Sequence, residues 1–69
     1  MSPEEVYNKF RNGDALSDAE ISFGIAAFMN AADSLRGLGP VFRLAQQEAH
    51  RVYMTLSGYQ QAREANERP

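Results

Sequence analysis

His50 is the one side chain in these 69 residues whose unperturbed pKa lies near neutrality, so it is the first to weigh as a general base or a pH switch. Glu48 stands two positions before it, and on a helix that separation puts the two on different faces. There is no second histidine and no cysteine, so the sequence assembles no thiolate nucleophile, no disulfide and no His/Cys metal cage. The hydroxyls of Ser17, Ser22, Ser34, Thr55 and Ser57 have no neighbouring base to activate them. Glu4 with Glu5, and Glu64 with Glu67, fall at capping or terminal positions rather than in a cleft. No catalytic, cofactor-binding or metal-binding residue is expected, and the sequence reads as a binding protein rather than an enzyme.

The elements that position these side chains follow from their end signals. Ser2-Pro3-Glu4-Glu5 is a capping box with proline at the first helical position, where its missing N–H is harmless. Val6, Tyr7 and Phe10 give this first helix, about 3–11, a short apolar face, and Asn12-Gly13 ends it. A second box, Ser17 with Glu20, is flanked by Leu16 and Ile21 at hydrophobic-staple spacing and opens a helix over about 18–36. Gly37-Leu38-Gly39-Pro40 stops that helix, and Pro40 can begin the next. The third helix is expected over about 41–63, with Gly58 its weakest point and a frayed tail at 64–69.

Spacing inside the two longer helices predicts how they pack. Ile21, Ile25, Phe28, Ala32 and Leu35 recur at alternating steps of 4 and 3, as do Phe42, Ala45, Ala49, Val52, Leu56 and Tyr59. Such seams, joined by a four-residue turn, predict an antiparallel helical hairpin crossed on one side by the short first helix. The fold class is all-α, a single three-helix domain over 1–69, completed by dimerisation.

Dimerisation enters because Ile21 to Ala32 is twelve residues without a charge, more apolar surface than a chain this short can cover. Gly24, Ala27, Ala31 and Ser34 form a stripe of small residues with Phe23 and Met29 beside it, open to a helix from a second copy or to the first helix of the same chain. On the third helix Leu44, Gln47, Arg51, Met54 and Gly58, with Tyr53 and His50 nearby, make a mixed face of the types enriched where proteins meet. The expected partner or dimer interface is therefore Phe23, Gly24, Ala27, Met29, Ala31, Leu44, Arg51, Tyr53 and Met54.

Net charge is −2, divided unevenly: −4 over residues 1–34 and +2 over residues 35–69. That is far from a nucleic-acid footprint, so a regulator acting through Arg36, Arg43, Arg51 and Arg63 is the weakest functional class. The apolar run is too short to span a bilayer, and MSPEEVYNKF has early acids and no apolar leader core, so a cytoplasmic protein with no membrane partner is expected.

The stretches VYNKFRNGDALSDAEI, LRGLGPVFRLA and GYQQAR together resemble the small helical accessory proteins that recur in tailed-bacteriophage genomes. The resemblance implies a protein that acts in the host cytoplasm by binding a host protein, such as a defence or transcription factor, and inhibiting or redirecting it. It carries no functional residues with it. A structural or assembly component of a larger particle is the alternative class.

Overall fold

The computed structural model describes residues 1–67, with the side chain of Glu67 left aside. Three α-helices make up the architecture: α1 (Pro3–Asn12), α2 (Asp18–Leu35) and α3 (Arg43–Glu67), with a 3-10 turn at Pro40–Phe42 and, among the described residues, no strand.

The ends form for the reasons the sequence suggests. Ser17 Oγ accepts from the Glu20 amide at 3.1 Å while Glu20 Oε1 accepts from the Ser17 amide at 2.9 Å, so the second box is complete. At α1 the expected box forms only in half: Ser2 Oγ accepts from the Glu5 amide at 3.2 Å, without the return bond from the Ser2 amide to the Glu5 carboxylate. Gly13 closes α1 at φ 74°, a left-handed conformation that costs a residue without Cβ little, and the next amide, of Asp14, donates to the Lys9 carbonyl at 3.0 Å. α2 ends differently: Arg36 leaves it in an extended conformation, and Gly37 at φ 84° turns the chain so that the Leu38 amide donates to the Leu35 carbonyl at 3.3 Å.

Two boundaries differ from expectation. Pro40 opens a tight 3-10 turn, so the α-helix proper begins at Arg43 rather than near 41. At the other end α3 runs on through Glu64, Ala65 and Asn66 to Glu67, where fraying was expected; Arg68 and Pro69 lie outside the described residues.

Pairings between α2 and α3 run in opposite senses along the two helices. Arg63 Nη1 donates to Asp18 Oδ1 at 2.7 Å, Gln60 Nε2 to Ser22 Oγ at 3.1 Å and Gln46 Nε2 to the Ala32 carbonyl at 3.4 Å. The core is small. Val6, Leu16, Ile21, Val52 and Leu56 form its buried cluster, with Ala32 and Ala49 also buried, and Tyr7, Phe10, Phe23, Ile25 and Phe28 packed around it. Each large aliphatic side chain so buried contributes roughly 1.5–3 kcal/mol.

On α3 the seam therefore holds at Ala49, Val52 and Leu56 and fails at both ends, while on α2 its first residue, Ile21, is buried. Phe42 and Tyr59 are 42% and 47% exposed, and Ala45 is exposed too. Phe42 sits in the 3-10 turn, whose tighter winding breaks the α-helical register.

α1 lies along α2 in the reverse direction: Lys9 pairs with Glu20 at 2.7 Å, Val6 packs at Gly24, and the Tyr7 ring lies 5.9 Å from that of Phe28. A Cβ on Gly24 would stand 2.7 Å from Leu56 Cδ1 and 3.0 Å from Val6 Cγ1. Glycine is thus what lets three helices meet at that level. The molecule is elongated, 46 × 21 × 17 Å.

Candidate interaction surface

His50, the first residue weighed for chemistry, is exposed on α3 with its ring 6.2 Å from that of Tyr53. Glu48 faces elsewhere: its Oε1 accepts from the Tyr7 hydroxyl at 3.0 Å, and Arg51 donates to both carboxylate oxygens, at 2.7 and 3.1 Å. Those bonds, Arg51 first and Tyr7 second, hold the Glu48 carboxyl below its ordinary value. The pair has no shared geometry for proton transfer. Glu48 instead pins α1 to α3 through Tyr7, with the Arg11 guanidinium 5.7 Å from the Tyr7 ring centroid on the outside.

A second tie joins the other end. Arg63 reaches Asp18 and, through Nη2, the Leu16 carbonyl at 2.6 Å, holding the loop between α1 and α2 against α3. Glu20 serves both its cap and Lys9, and the Lys9 bond, followed by the Ser17 amide, brings its carboxyl down to about 2. The same contact raises Lys9.

The residues expected to form one interface are divided by the structure into several environments. Gly24 is buried inside the chain between α1 and α3, so it is removed from any outer surface. The reason is that α1 occupies this part of the small-residue stripe. Phe23 packs against the core cluster, and Ala27 and Ala31 are half-buried. Met29 stands about 120° around α2 from Phe23 at 100° per residue, and it is 43% exposed.

Met29 joins Tyr53 instead, in an open groove of about 540 Å³ between the second half of α2 and the first half of α3. Ala32, Asp33 and Arg36 complete the α2 wall; Gln46, Gln47 and His50 complete the α3 wall. Asp33 and Arg36 are 3.5 Å apart and both exposed. Leu44, Arg51 and Met54 stand on the outer side of α3, all exposed, and Arg51 is engaged with Glu48. A smaller space of about 360 Å³ lies between the α1–α2 loop and the last turns of α3, lined by Phe10, Leu16, Tyr59 and an Arg63 already committed to Asp18.

Sequence reasoning placed Leu44 at an interface and Phe42 in the seam but missed Leu38 and Val41, and with them the apolar joint between α2 and α3. Leu38, Val41, Phe42 and Leu44 are all exposed, Val41 at 87% and Leu44 at 78%. Four apolar side chains within seven residues, beyond the end of α2 where no partner helix remains, were the available signal. Of the four arginines weighed for nucleic acid, Arg36, Arg51 and Arg63 each lie within ion-pair distance of an acid.

Among the described residues no helix is long and apolar enough to cross a membrane. Comparison with protein-family models, with curated proteins and with solved structures returns no match. The chain is a small three-helix protein whose distinctive surface features are an apolar joint and an open groove.

Proposed function

We propose that this is a non-catalytic interaction protein of the bacteriophage accessory type, which works in the host cytoplasm by occupying a surface of a host protein and inhibiting or redirecting it. In this reading α2 and α3 form a helical hairpin that is completed by a second copy of the chain. The observation that supports a docking role is the groove that Met29 lines from α2 and Tyr53 from α3, flanked by the Asp33–Arg36 pair and His50. An exposed methionine and a tyrosine lining one open groove, rimmed by polar groups, is the composition of a protein-binding surface rather than of a reaction cleft. The ion pairing of Arg36, Arg51 and Arg63 leaves little basic surface for phosphate, which disfavours a nucleic-acid role.

The test is capture from a lysate of the native host by the tagged protein, run beside Met29→Asp and Tyr53→Asp variants that keep the wild-type circular dichroism and melting temperature. A target retained by the wild type and lost by both variants is the expected outcome. A target held equally well by all three proteins would refute the groove as the docking surface. Retention in fixed stoichiometry within a large particle would assign the protein to assembly instead.

A further inference from the structure

The seat that α1 occupies does not end where α1 ends. Ten residues at 1.5 Å give α1 about 15 Å, against about 27 Å for the 18 residues of α2. Because α1 runs backwards along α2, with Lys9 at Glu20, Val6 at Gly24 and Tyr7 at Phe28, its first residue falls near the middle of α2. Past that level the same row continues on α2 as Ala31 and Leu35, three and seven positions beyond Phe28. On α3 it continues from Glu48, the residue Tyr7 holds, to Leu44, four positions back, with Val41 beyond it in the 3-10 turn. Ala31 and Leu35 are half-buried, and Leu44 and Val41 stand in the open.

We propose that this continuation is filled by the joint end of a second copy of the same chain, in a reciprocal twofold dimer. The proposal rests on the self-association included in the function above and gives it a place. Two features single out a second copy as the occupant. The first is charge: the joint end carries Arg43 beside the Asp33–Arg36 pair, while the start of α1, beside which a partner's joint would come to rest, carries Glu4 and Glu5. Among the described residues Arg43, Glu4 and Glu5 enter no ion pair. The chain thus presents a basic apolar end and an apolar seat with an acidic border, and a twofold axis matches each to the other twice.

The second is size. A stable interface buries about 800 Å² per partner, roughly one sixth of this chain's 4952 Å². Overlap of two joint halves covers Leu38, Val41 and Leu44, three of the most exposed large apolar side chains, and turns two pairs of helices into a four-helix layer.

Sedimentation equilibrium of the full chain from micromolar to millimolar concentration tests this. The expected result is a concentration-dependent dimer whose dissociation constant rises at least about tenfold in Leu44→Glu, since a carboxylate would be buried unpaired. Glu5→Lys and Arg43→Glu should each weaken the dimer, and the double variant should recover part of the loss, which a purely structural role of either residue does not predict. With no native cysteine, Leu44→Cys gives an independent readout: it should yield a disulfide-linked dimer under mild oxidation, whereas Gln61→Cys, at the opposite end of α3, should not. A monomer at every concentration, or a dimer indifferent to Leu44→Glu and cross-linked equally through both cysteines, overturns the proposal. A monomer that still captures its target through Met29 and Tyr53 overturns this inference alone; a dimer with the predicted sensitivities that captures nothing leaves it standing and removes the host-binding function.

Discussion

Two glycines on neighbouring helices should respond to one substitution with opposite signs. Gly58 lies within α3 with nothing within 4 Å of the position a Cβ would take, so Gly58→Ala gains the helix-propensity difference of about 1 kcal/mol with no steric charge against it. Gly24→Ala gains the same amount but must place a methyl carbon 2.7 Å from Leu56 Cδ1 and 3.0 Å from Val6 Cγ1. Neither neighbour gives way easily. Leu56 and Val6 are both fully buried, and valine is further restricted by its branched Cβ. Forcing an extra methyl into a packed core costs about 1–3 kcal/mol, so the net effect of Gly24→Ala is a loss of up to roughly 2 kcal/mol once the propensity gain of about 1 is subtracted. In a domain of this size 1 kcal/mol moves the melting temperature by about 4–8 °C. Thermal unfolding followed at 222 nm should therefore show Gly58→Ala melting above the wild type and Gly24→Ala below it. Adding Val6→Ala to Gly24→Ala should cost less than the two single losses combined, because the crowding is then relieved. If Gly24→Ala melts as high as Gly58→Ala, the three helices do not meet at Gly24 and the placement of α1 is wrong.

Other substitutions probe the ties in turn. Ser17→Ala removes the acceptor for the Glu20 amide and should cost about 1 kcal/mol in urea unfolding; an unchanged midpoint would mean that the box contributes nothing. The Glu20 carboxyl, brought from 4.5 to about 2 chiefly by Lys9, contributes stability that is fully present above about pH 4.5 and is lost as pH falls toward about 2. Stability measured across that window should fall less steeply in Glu20→Gln, and identical slopes would contradict the assignment. Tyr7→Phe keeps the ring against Phe28 but deletes the hydroxyl donor to Glu48, and it should destabilise by about 0.5–1.5 kcal/mol while speeding amide exchange in α1. No change in α1 exchange would show that the bond does not hold that helix down.

How much of this was readable from residues alone depends on whether a feature is local. The caps at Ser2 and Ser17 and the stops at Gly13 and Gly37 involve side chains and amides a few positions apart, so sequence spacing encodes them directly. The buried part of the α2–α3 seam, Ile21, Ala32, Ala49, Val52 and Leu56, is periodic and was legible for that reason. Its ends on α3 were not: at Phe42 the backbone has changed its winding after Pro40, and Tyr59 stays exposed although α2 still faces α3 at that level through Ser22 and Asp18.

Gly24 misled most. A stripe of glycine and alanines invites close approach but does not say by which helix, and α1 is set in place by contacts with no periodicity: Lys9 with Glu20 and Tyr7 with Glu48, 11 and 41 positions apart. The groove joining Met29 to Tyr53 likewise depends on how two helices are rotated against each other, which a single helical wheel does not reveal.

Arg63 binds the carbonyl of Leu16 across 47 positions of sequence. The entry to the second helix is therefore secured by a side chain from the far part of the third, and a chain emerging from the ribosome cannot complete that attachment until α3 has been made. The three helices then acquire their structure together rather than one by one, as expected where distant attachments govern a small domain. Pieces cut ahead of that arginine should remain loose and be readily cleared by cellular proteases.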